Sequence, residues 1–426
     1  MAELPEGTTP PRGLPVPSQI SWPLLPAREL FELKYGKALV ETRRRPGQTV
    51  VFGSNGPCGF HDEALFKGPG IILGRKGQGP LGVKWSDEDY WVIDTAYSLK
   101  PLTDRVDLRF AYYLVRHIGL NHLKDGTSNP TLSREVFGSQ AFPIPPMADQ
   151  LRIAAVLRSL DDKIELNRQM NETLEAMARA IFKDWFVDFG PTRAKMEGRA
   201  PYLALEIWSL FPGRLDVEGK PEGWEIKRLS EIFDIIGGGT PKTSVDEYWD
   251  GDIPWFSVVD TPSDGSGFVY ETEKYITSRG VEESSVRPIP PGTTIISARG
   301  TVGNLAIAAR EMTFNQSCYG LKGKGPVGDW LVFLTAQHMV NQLQALAHGS
   351  VFSTITRQTF DAISLAIGNP ETLQIFDDSV GPLFELQKAN SAEARTLSAT
   401  RDLLLPKLMS GQVRVKDAER LAKEAT

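Results

Sequence analysis

The sequence predicts an α+β protein of two related domains, each a curled β-sheet with helices, separated by two long helices that form an antiparallel coiled coil. Two observations carry this fold class. Between Met147 and Phe186, residues Ile153, Leu157, Leu160, Ile164, Asn167, Asn171, Leu174, Ala178, Ile181 and Trp185 follow one another in alternating steps of four and three, which is a heptad seam. No Gly or Pro interrupts it, and Ala, Leu, Glu, Arg and Met dominate, so helix propensity agrees with the pattern. A helix of about 38 residues is roughly 57 Å long, too long for one small core, so it needs a partner of similar length. The second observation supplies that partner. GTSNPTLSREVF from Gly126 and GSVFSTITRQTF from Gly349 match at Gly126/Gly349, Thr131/Thr354, Arg134/Arg357 and Phe137/Phe360, a shift of 223 residues. The same shift carries Ile153 to Phe376, Leu157 to Val380, Leu160 to Leu383, Asn167 to Asn390, Leu174 to Leu397 and Ile181 to Leu404. The chain is therefore an internal twofold pseudo-repeat of one unit, a mixed domain followed by a long helix.

Each element follows in chain order. Residues 1–20 are Pro-rich and polar, lack the positive start and apolar run of a signal peptide, and read as a disordered tail. The first domain, 21–146, opens with an amphipathic helix expected within 22–42 (PARELFELKYGKAL). Short strands broken by Gly follow (TVVFGSNG, GPGIILGRKGQG, LGVKWS, YWVIDTAYSLKP), then the helix DLRFAYYLVRHIGLNHL and the turn Thr131-Leu132-Ser133-Arg134. The central long helix is expected over 147–187. A connector over 188–221 mixes Pro, Gly and charge, with a short helix expected at 203–211. The second domain, 222–370, starts afresh at Pro221-Glu222-Gly223-Trp224 and opens in the same way. It continues through the strands DIPWFSVVDT, TTIISARGTVGNLAIAAR and FNQSCYGLKG to the helix DWLVFLTAQHMVNQLQALA. Its stretch from PKTSVDEYWDG to SDGSGF is an insertion of about two dozen residues relative to the first domain. The distal long helix is expected over 371–411, with a C-terminal tail over 412–426.

Composition and motifs narrow the function. With 426 residues, 41% apolar and 9% aromatic, two or three domains can build real cores. Cys58 and Cys318 lie far apart with no C-x-x-C, which supports neither a zinc site nor a disulfide framework and fits a reducing cytoplasm. No run approaches the 18 apolar residues of a spanning helix. Gly77-x-Gly79-x-x-Gly82 spells a dinucleotide fingerprint, but Pro80 sits where a helix should open and a strand-like VKW follows. Neither a P-loop, nor H-E-x-x-H, nor G-x-S-x-G occurs, and the five histidines show no ligand spacing. The chain is expected to hold no catalytic residue, metal or cofactor.

The net charge of −6 does not favour general nucleic-acid binding, but its distribution is uneven. Residues 20–145 carry 16 Lys and Arg against 13 Asp and Glu, whereas residues 222–370 carry 11 against 17. Cations recur on Gly-rich loops and beside the turns in both copies. Arg75-Lys76-Gly77 stands beside Arg299-Gly300 with Asn304; Lys100 stands beside Lys322; and Thr131, Ser133 and Arg134 stand beside Thr354, Thr356 and Arg357. Arg43 and Arg44 form a further basic run with Arg45. Arg and Lys on such loops suit phosphates and guanine edges, and Ser, Thr and Asn can contact either backbone or base. The same glycines could equally hold sheet bends, and the Ser/Thr-Arg turn could cap a helix. The residues leave both readings open.

The run PIPPMADQLRIAAVLRSLDDKIELNRQMNETLEAMARAIFKDWFVDFGPTRAK closely resembles the central conserved region of the specificity subunit of type I restriction-modification systems. The ending TRDLLLPKLMSGQVRV resembles that family's distal conserved helix. The resemblance covers nearly the whole chain. It implies two target recognition domains, each reading one half of a bipartite site on double-stranded DNA, and an antiparallel helix pair that docks two modification subunits and, through them, restriction subunits. S-adenosylmethionine, ATP and Mg are then expected on the partner subunits. The chain lacks the N/D-P-P-Y/F motif of adenine methyltransferases, since Asn129-Pro130-Thr131 does not match it. Two departures from the family pattern stand out: the Pro-rich start, and Gln387 and Arg401 at seam positions of the distal helix. A coiled-coil adaptor that binds only protein is the competing reading.

Overall fold

The computed structural model describes residues 4–9, 22–262, 267–348 and 354–425. Most of the tail expected at 1–20, and Gly349 of the second turn motif, lie outside them. The chain divides into two compact units, Met1–Ile164 with Arg395–Thr426, and Glu165–Ala394. Two helices of 40 residues each, Met147–Phe186 and Pro370–Met409, contribute to both units.

In the first unit a four-stranded antiparallel sheet runs in the order Phe31–Tyr35, Ala96–Pro101, Gly70–Gly74, Val83–Ser86, with Tyr35 opposite Tyr97 and Ile71 opposite Leu99. A second sheet, Gly56–His61, Thr49–Gly53 and Tyr90–Val92, packs on it. Side chains alternate along a strand. Ile71 and Leu73 therefore face the helix Leu108–Ile118 in the main core, while Ile72 faces Phe52, Tyr90 and Val92. Burial on both faces explains the unbroken apolar run. The helix Leu108–Ile118 is capped by Asp107, whose carboxylate accepts from Phe110 N at 2.8 Å, and ends at Gly119 with φ 71°. The fully buried Gln150 of the long helix fastens this cap: its Oε1 accepts from Asp107 N, and its Nε2 donates to Arg105 O and Pro145 O, all at 2.9 Å.

The second unit repeats this plan as a five-stranded sheet. Phe233–Gly237, Cys318–Gly323, Thr294–Ser297 and Leu305–Ala308 correspond to the first sheet, and Phe268–Val269 is added at its edge. The offset between copies is 202 at Phe31 and Phe233 but 223 at Ile71 and Thr294. The difference measures the insertion at 21 residues. The three-stranded sheet Lys274–Ile276, Trp249–Phe256 and Thr313–Phe314 pairs in the same antiparallel and parallel sense as the second sheet of the first unit, so the added residues lie largely after Phe256.

Four expectations are corrected. The amphipathic helix expected at 22–42 is only Ala27–Leu30, followed by the strand Phe31–Tyr35. Phe31 and Leu33 alternate inward, and pairing with Ala96–Pro101 overrides the helical pattern. The second copy likewise runs strand, one helical turn, strand over Glu225–Gly237. Residues 4–9 of the supposed tail are ordered by Thr9, which donates N–H to Ser139 O and accepts Ala141 N–H, both at 3.0 Å. The C-terminal tail is the helix Val415–Ala425, whose Ala418 and Ala422 enter the first core. The connector holds two short helices, Gly190–Met196 and Leu205–Ser209.

Within each unit the long helices run antiparallel. In the first, Asp161 meets Arg401 at 2.8 Å, and Leu157 and Leu160 share a core with Leu397, Leu404 and Leu408. In the second, Trp185 and Phe186 pack on Phe376 at ring distances of 5.6 and 4.9 Å. Ile153, Ala178 and Val380 are buried as the seam requires, whereas Ile164, Leu174, Ile181 and Leu383 are only half buried. Phe182 and Phe384 take the inner positions instead of Ile181 and Leu383. A 3.6-residue helix drifts off a strict heptad, and in this half both helices also cover the domain. Arg401, a departure from the seam in sequence, is a half-buried charge balanced by Asp161, which also accepts from Tyr113 Oη at 2.8 Å and lies 3.6 Å from Arg116. The distal helix continues through Gly381, Pro382 and Pro406 despite their propensity. Beside Gly381, Trp330 stacks on Phe384 at 4.3 Å, and a Cβ on Gly381 would stand in ordinary contact with Trp330 Nε1 at 3.4 Å.

Asn167 and Asn390, equivalent under the 223-residue shift, meet through a side chain and a backbone carbonyl. Asn167 Nδ2 donates to Asn390 O at 3.3 Å and to Glu393 Oε2 at 2.7 Å. The side-chain pair is Asn390 with Asn171, Nδ2 to Oδ1 at 3.0 Å, and Asn171 Nδ2 in turn donates to Ser391 Oγ at 3.1 Å.

Candidate nucleic-acid interface

Both domains build one backbone frame from three pieces. The first is the loop that follows the central strand, the second the strand that pairs with it, and the third the capped turn. In the first unit Arg75 N and Lys76 N both donate to Thr95 O, at 2.9 and 3.4 Å, and Arg75 O accepts from Leu132 N at 2.7 Å. In the second, Ala298 N and Arg299 N both donate to Ser317 O, at 2.7 and 3.2 Å, and Ala298 O accepts from Ile355 N at 3.0 Å. The cationic loop and the Ser/Thr-Arg turn are thus neighbours in each copy. The equivalent of Arg299 is Lys76, and Arg75 corresponds to Ala298.

The side chains on this frame differ between copies. In the first unit the exposed ring of Tyr35 lies under two guanidinium groups, Arg134 at 3.9 Å and Arg75 at 4.8 Å, with Arg75 also 5.7 Å from Tyr97. Arg75 Nη1 donates to Asp94 O at 2.9 Å, and Lys76 pairs with Asp94 at 2.8 Å. Lys124 Nζ donates to Gly77 O and Gly79 O, and Gln78 Nε2 to Thr127 O and Ser128 O, so the glycine loop is tied to residues 124–131. No helix opens after Gly82, since the strand Val83–Ser86 follows, and the dinucleotide spelling has no structural counterpart. Lys100 is exposed opposite Glu32. A hydrogen bond from Lys34 holds the Glu32 carboxyl below its ordinary range, and the charges of Arg134 and Lys100 add to this. In the second unit Arg299 is exposed on its loop, and Arg357 Nη2 donates to Ile235 O at 3.0 Å.

Several expected contacts are committed to the fold. Ser133 Oγ accepts from Val136 N at 3.0 Å as a helix cap, and Thr356 N donates to Thr359 Oγ1 at 3.0 Å in the matching turn. Thr131 Oγ1 donates to Asn129 O at 2.9 Å. Thr354 is half buried just before the capped turn. Half-buried Lys322 pairs with Asp329 at 2.7 Å, so its charge serves the start of the helix Asp329–His348. Asn304 places its backbone N–H on Ser297 Oγ at 2.8 Å, bracing the loop. Arg44 donates to Cys58 O, and Arg45 bridges Asp62 and Glu63 at 2.7 and 2.6 Å, while Arg43 stays exposed. Sequence reasoning missed Tyr35, Gln78 and Lys124. The alternation of Phe31, Leu33 and Tyr35 was the available signal for the first. Burial pushes the Cys318 thiol up to about 12, and no cluster of potential metal ligands occurs among the described residues. Nor, among them, is any helix long and apolar enough to cross a membrane.

A family model described as the type I restriction modification DNA specificity domain matches residues 21–176 and again 221–377. The chain belongs to this family. The HindI type I restriction enzyme specificity subunit of Haemophilus influenzae is 29% identical over 329 residues, 67% of this chain and 71% of that protein. The MjaIX specificity subunit of Methanocaldococcus jannaschii is 31% identical over 182 residues, 41% of this chain and 42% of its own. Among solved structures, the S subunit of a type I restriction-modification system from M. genitalium covers 94% of this chain and 99% of its own, with a TM-score of 0.57 at 16% identity, a likeness of fold. Two DNA specificity domains, each joined to a long helix, are therefore the plan of this chain.

Proposed function

We propose that this chain is the DNA-reading subunit of a cytoplasmic type I restriction-modification complex. Each domain contacts one half of a bipartite site on double-stranded DNA, and the long helices carry two modification subunits and, through them, restriction subunits. The observation that supports this reading is the repeated loop-and-turn frame. It presents Arg75 and Arg134 on Tyr35 in one specificity domain and Arg299 beside Arg357 in the other. Guanidinium groups on rigid backbone suit bidentate contact with guanine or phosphate. Catalysis is assigned to no residue of this chain; S-adenosylmethionine, ATP and Mg belong to the partner subunits in this reading.

The test exchanges residues 22–145 for those of a related subunit, followed by sequencing of methylated sites. One half of the recognised sequence should change and the other remain. Arg299→Ala should weaken the second half-site by about 1–3 kcal/mol if it reads a base, or weaken all sequences evenly with a shallower salt slope if it reads phosphate. Simultaneous change of both halves after the exchange would overturn independent reading.

A further inference from the structure

The pseudo-repeat gives each position in one unit a counterpart in the other, and one pair of counterparts is filled unequally. In the second unit Phe211, from the connector, is buried against Trp185 and Trp224, with ring centroids at 5.0 and 6.2 Å. Lys195 Nζ holds the Phe211 carbonyl in place. The offset of 223 carries Trp185 to Leu408, and the offset of 202 carries Trp224 to Trp22. In the first unit Leu408 and Trp22 line a cleft of about 400 Å³ together with Ile153, Gly411 and Val413. No described residue occupies it as Phe211 occupies its counterpart. Three cations edge the cleft, Arg152, Arg414 and Lys416, against a single acid, Asp149. Arg152 reaches Glu419 at 3.7 Å, while Arg414 and Lys416 make no ion pair among the described residues.

We propose that this cleft receives a bulky apolar side chain flanked by carboxylates, offered by a partner polypeptide. The apolar floor repeats the walls that already hold a phenylalanine in the other unit, and the cationic rim selects an acidic flank. The chain's own residues 10–21, PPRGLPVPSQIS, lead into Trp22 but contain no aromatic side chain and no carboxylate, and they add Arg12. They are the wrong chemistry for this rim. The proposal does not depend on the reading of DNA.

The probe is a fluorescein-labelled peptide of residues 206–216, EIWSLFPGRLD, which carries Phe211 between Glu206 and Asp216. Its binding to the full chain is followed by anisotropy. The same peptide with Phe211→Ala should bind about tenfold more weakly, because the buried ring is the anchor. Arg152→Glu with Arg414→Glu in the chain should weaken the parent peptide by a similar factor, and added salt should weaken it too. Val413→Trp, which fills the cleft from its edge, is an independent arm should the charge reversal fail to fold, as circular dichroism would reveal. Equal binding of the Phe and Ala peptides, or binding unmoved by the chain variants, overturns the proposal. Binding that appears only after residues 10–21 are deleted assigns the cleft to the chain itself and also overturns it.

Discussion

Asp377 offers a sharp physical test of how the second domain is held to its helix. Its Oδ1 accepts from Leu331 N at 3.1 Å, at the start of the helix Asp329–His348, and a Cβ on Gly328 would overlap its Oδ2. Burial pushes this carboxyl from the ordinary 3.8 up to about 6, although the Leu331 and Trp330 amides favour the ionised form; Asp329 and Asp378 nearby add to the rise. Lys322 is engaged with Asp329 rather than with Asp377. A folded-state value above the unfolded one means that the folded protein holds the proton more tightly. The stabilisation is therefore complete below about pH 4 and is lost as pH rises through about 6. The displacement corresponds to roughly 3 kcal/mol. Asp377→Asn keeps an acceptor for Leu331 and removes the charge. Urea unfolding followed by tryptophan fluorescence should find the variant more stable by up to about 3 kcal/mol at pH 8, with the advantage shrinking towards pH 4.5. An advantage that is the same at both pH values would refute the reasoning. So would a variant weaker at pH 8, which would mean that the helix N-terminus outweighs burial.

Other substitutions test the remaining polar groups. Arg401→Met takes one of two guanidinium groups from half-buried Asp161, leaving Arg116 at 3.6 Å and the Tyr113 hydroxyl, and should cost about 1–3 kcal/mol in denaturant unfolding, whereas adding Asp161→Leu should recover much of this. Asn167→Leu with Asn390→Leu removes the donor to Asn171 Oδ1, so it should destabilise by about 1–3 kcal/mol. Extending the change to Asn171→Leu should restore stability while loosening helix register, read by cysteine cross-linking across the pair. Ser133→Ala removes a helix cap and should cost about 1 kcal/mol. Arg134→Ala, in contrast, should leave urea unfolding nearly unchanged and weaken DNA retention in a mobility-shift assay.

The long helices and the repeat were legible because both rest on spacing, and spacing survives without knowledge of partners. The opening strands were not. Phe31–Tyr35 alternates, but it is preceded by PAREL, which reads as helix, and only the pairing with Ala96–Pro101 decides between them. The half-buried state of Ile181 and Leu383 was equally hidden, since a heptad describes two helices alone and these also cover a domain. Of the candidate contacts, the cations on the loops and turns were found by type. Which of them are already committed, as Lys322 is to Asp329 and Lys76 to Asp94, depends on residues distant in sequence.

The two copies show why one fold can read two different sequences. Their shared frame consists of backbone hydrogen bonds, Leu132 N to Arg75 O in one and Ile355 N to Ala298 O in the other, which place no demand on the side chains they carry. Tyr35, opposite Tyr97, corresponds to Gly237, opposite Tyr319. The first domain thus has a ring on which two guanidinium groups are preorganised, with little entropy left to lose on binding. The second has no ring there, so Arg357 turns to the Ile235 carbonyl, and its loop offers Arg299 in the place of Lys76. In the function proposed above, changes of this kind would alter the donors offered to DNA without moving the strand, loop or turn that positions them. Recognition can then diverge in one domain while the other, built on its own copy of the frame, keeps its half of the site.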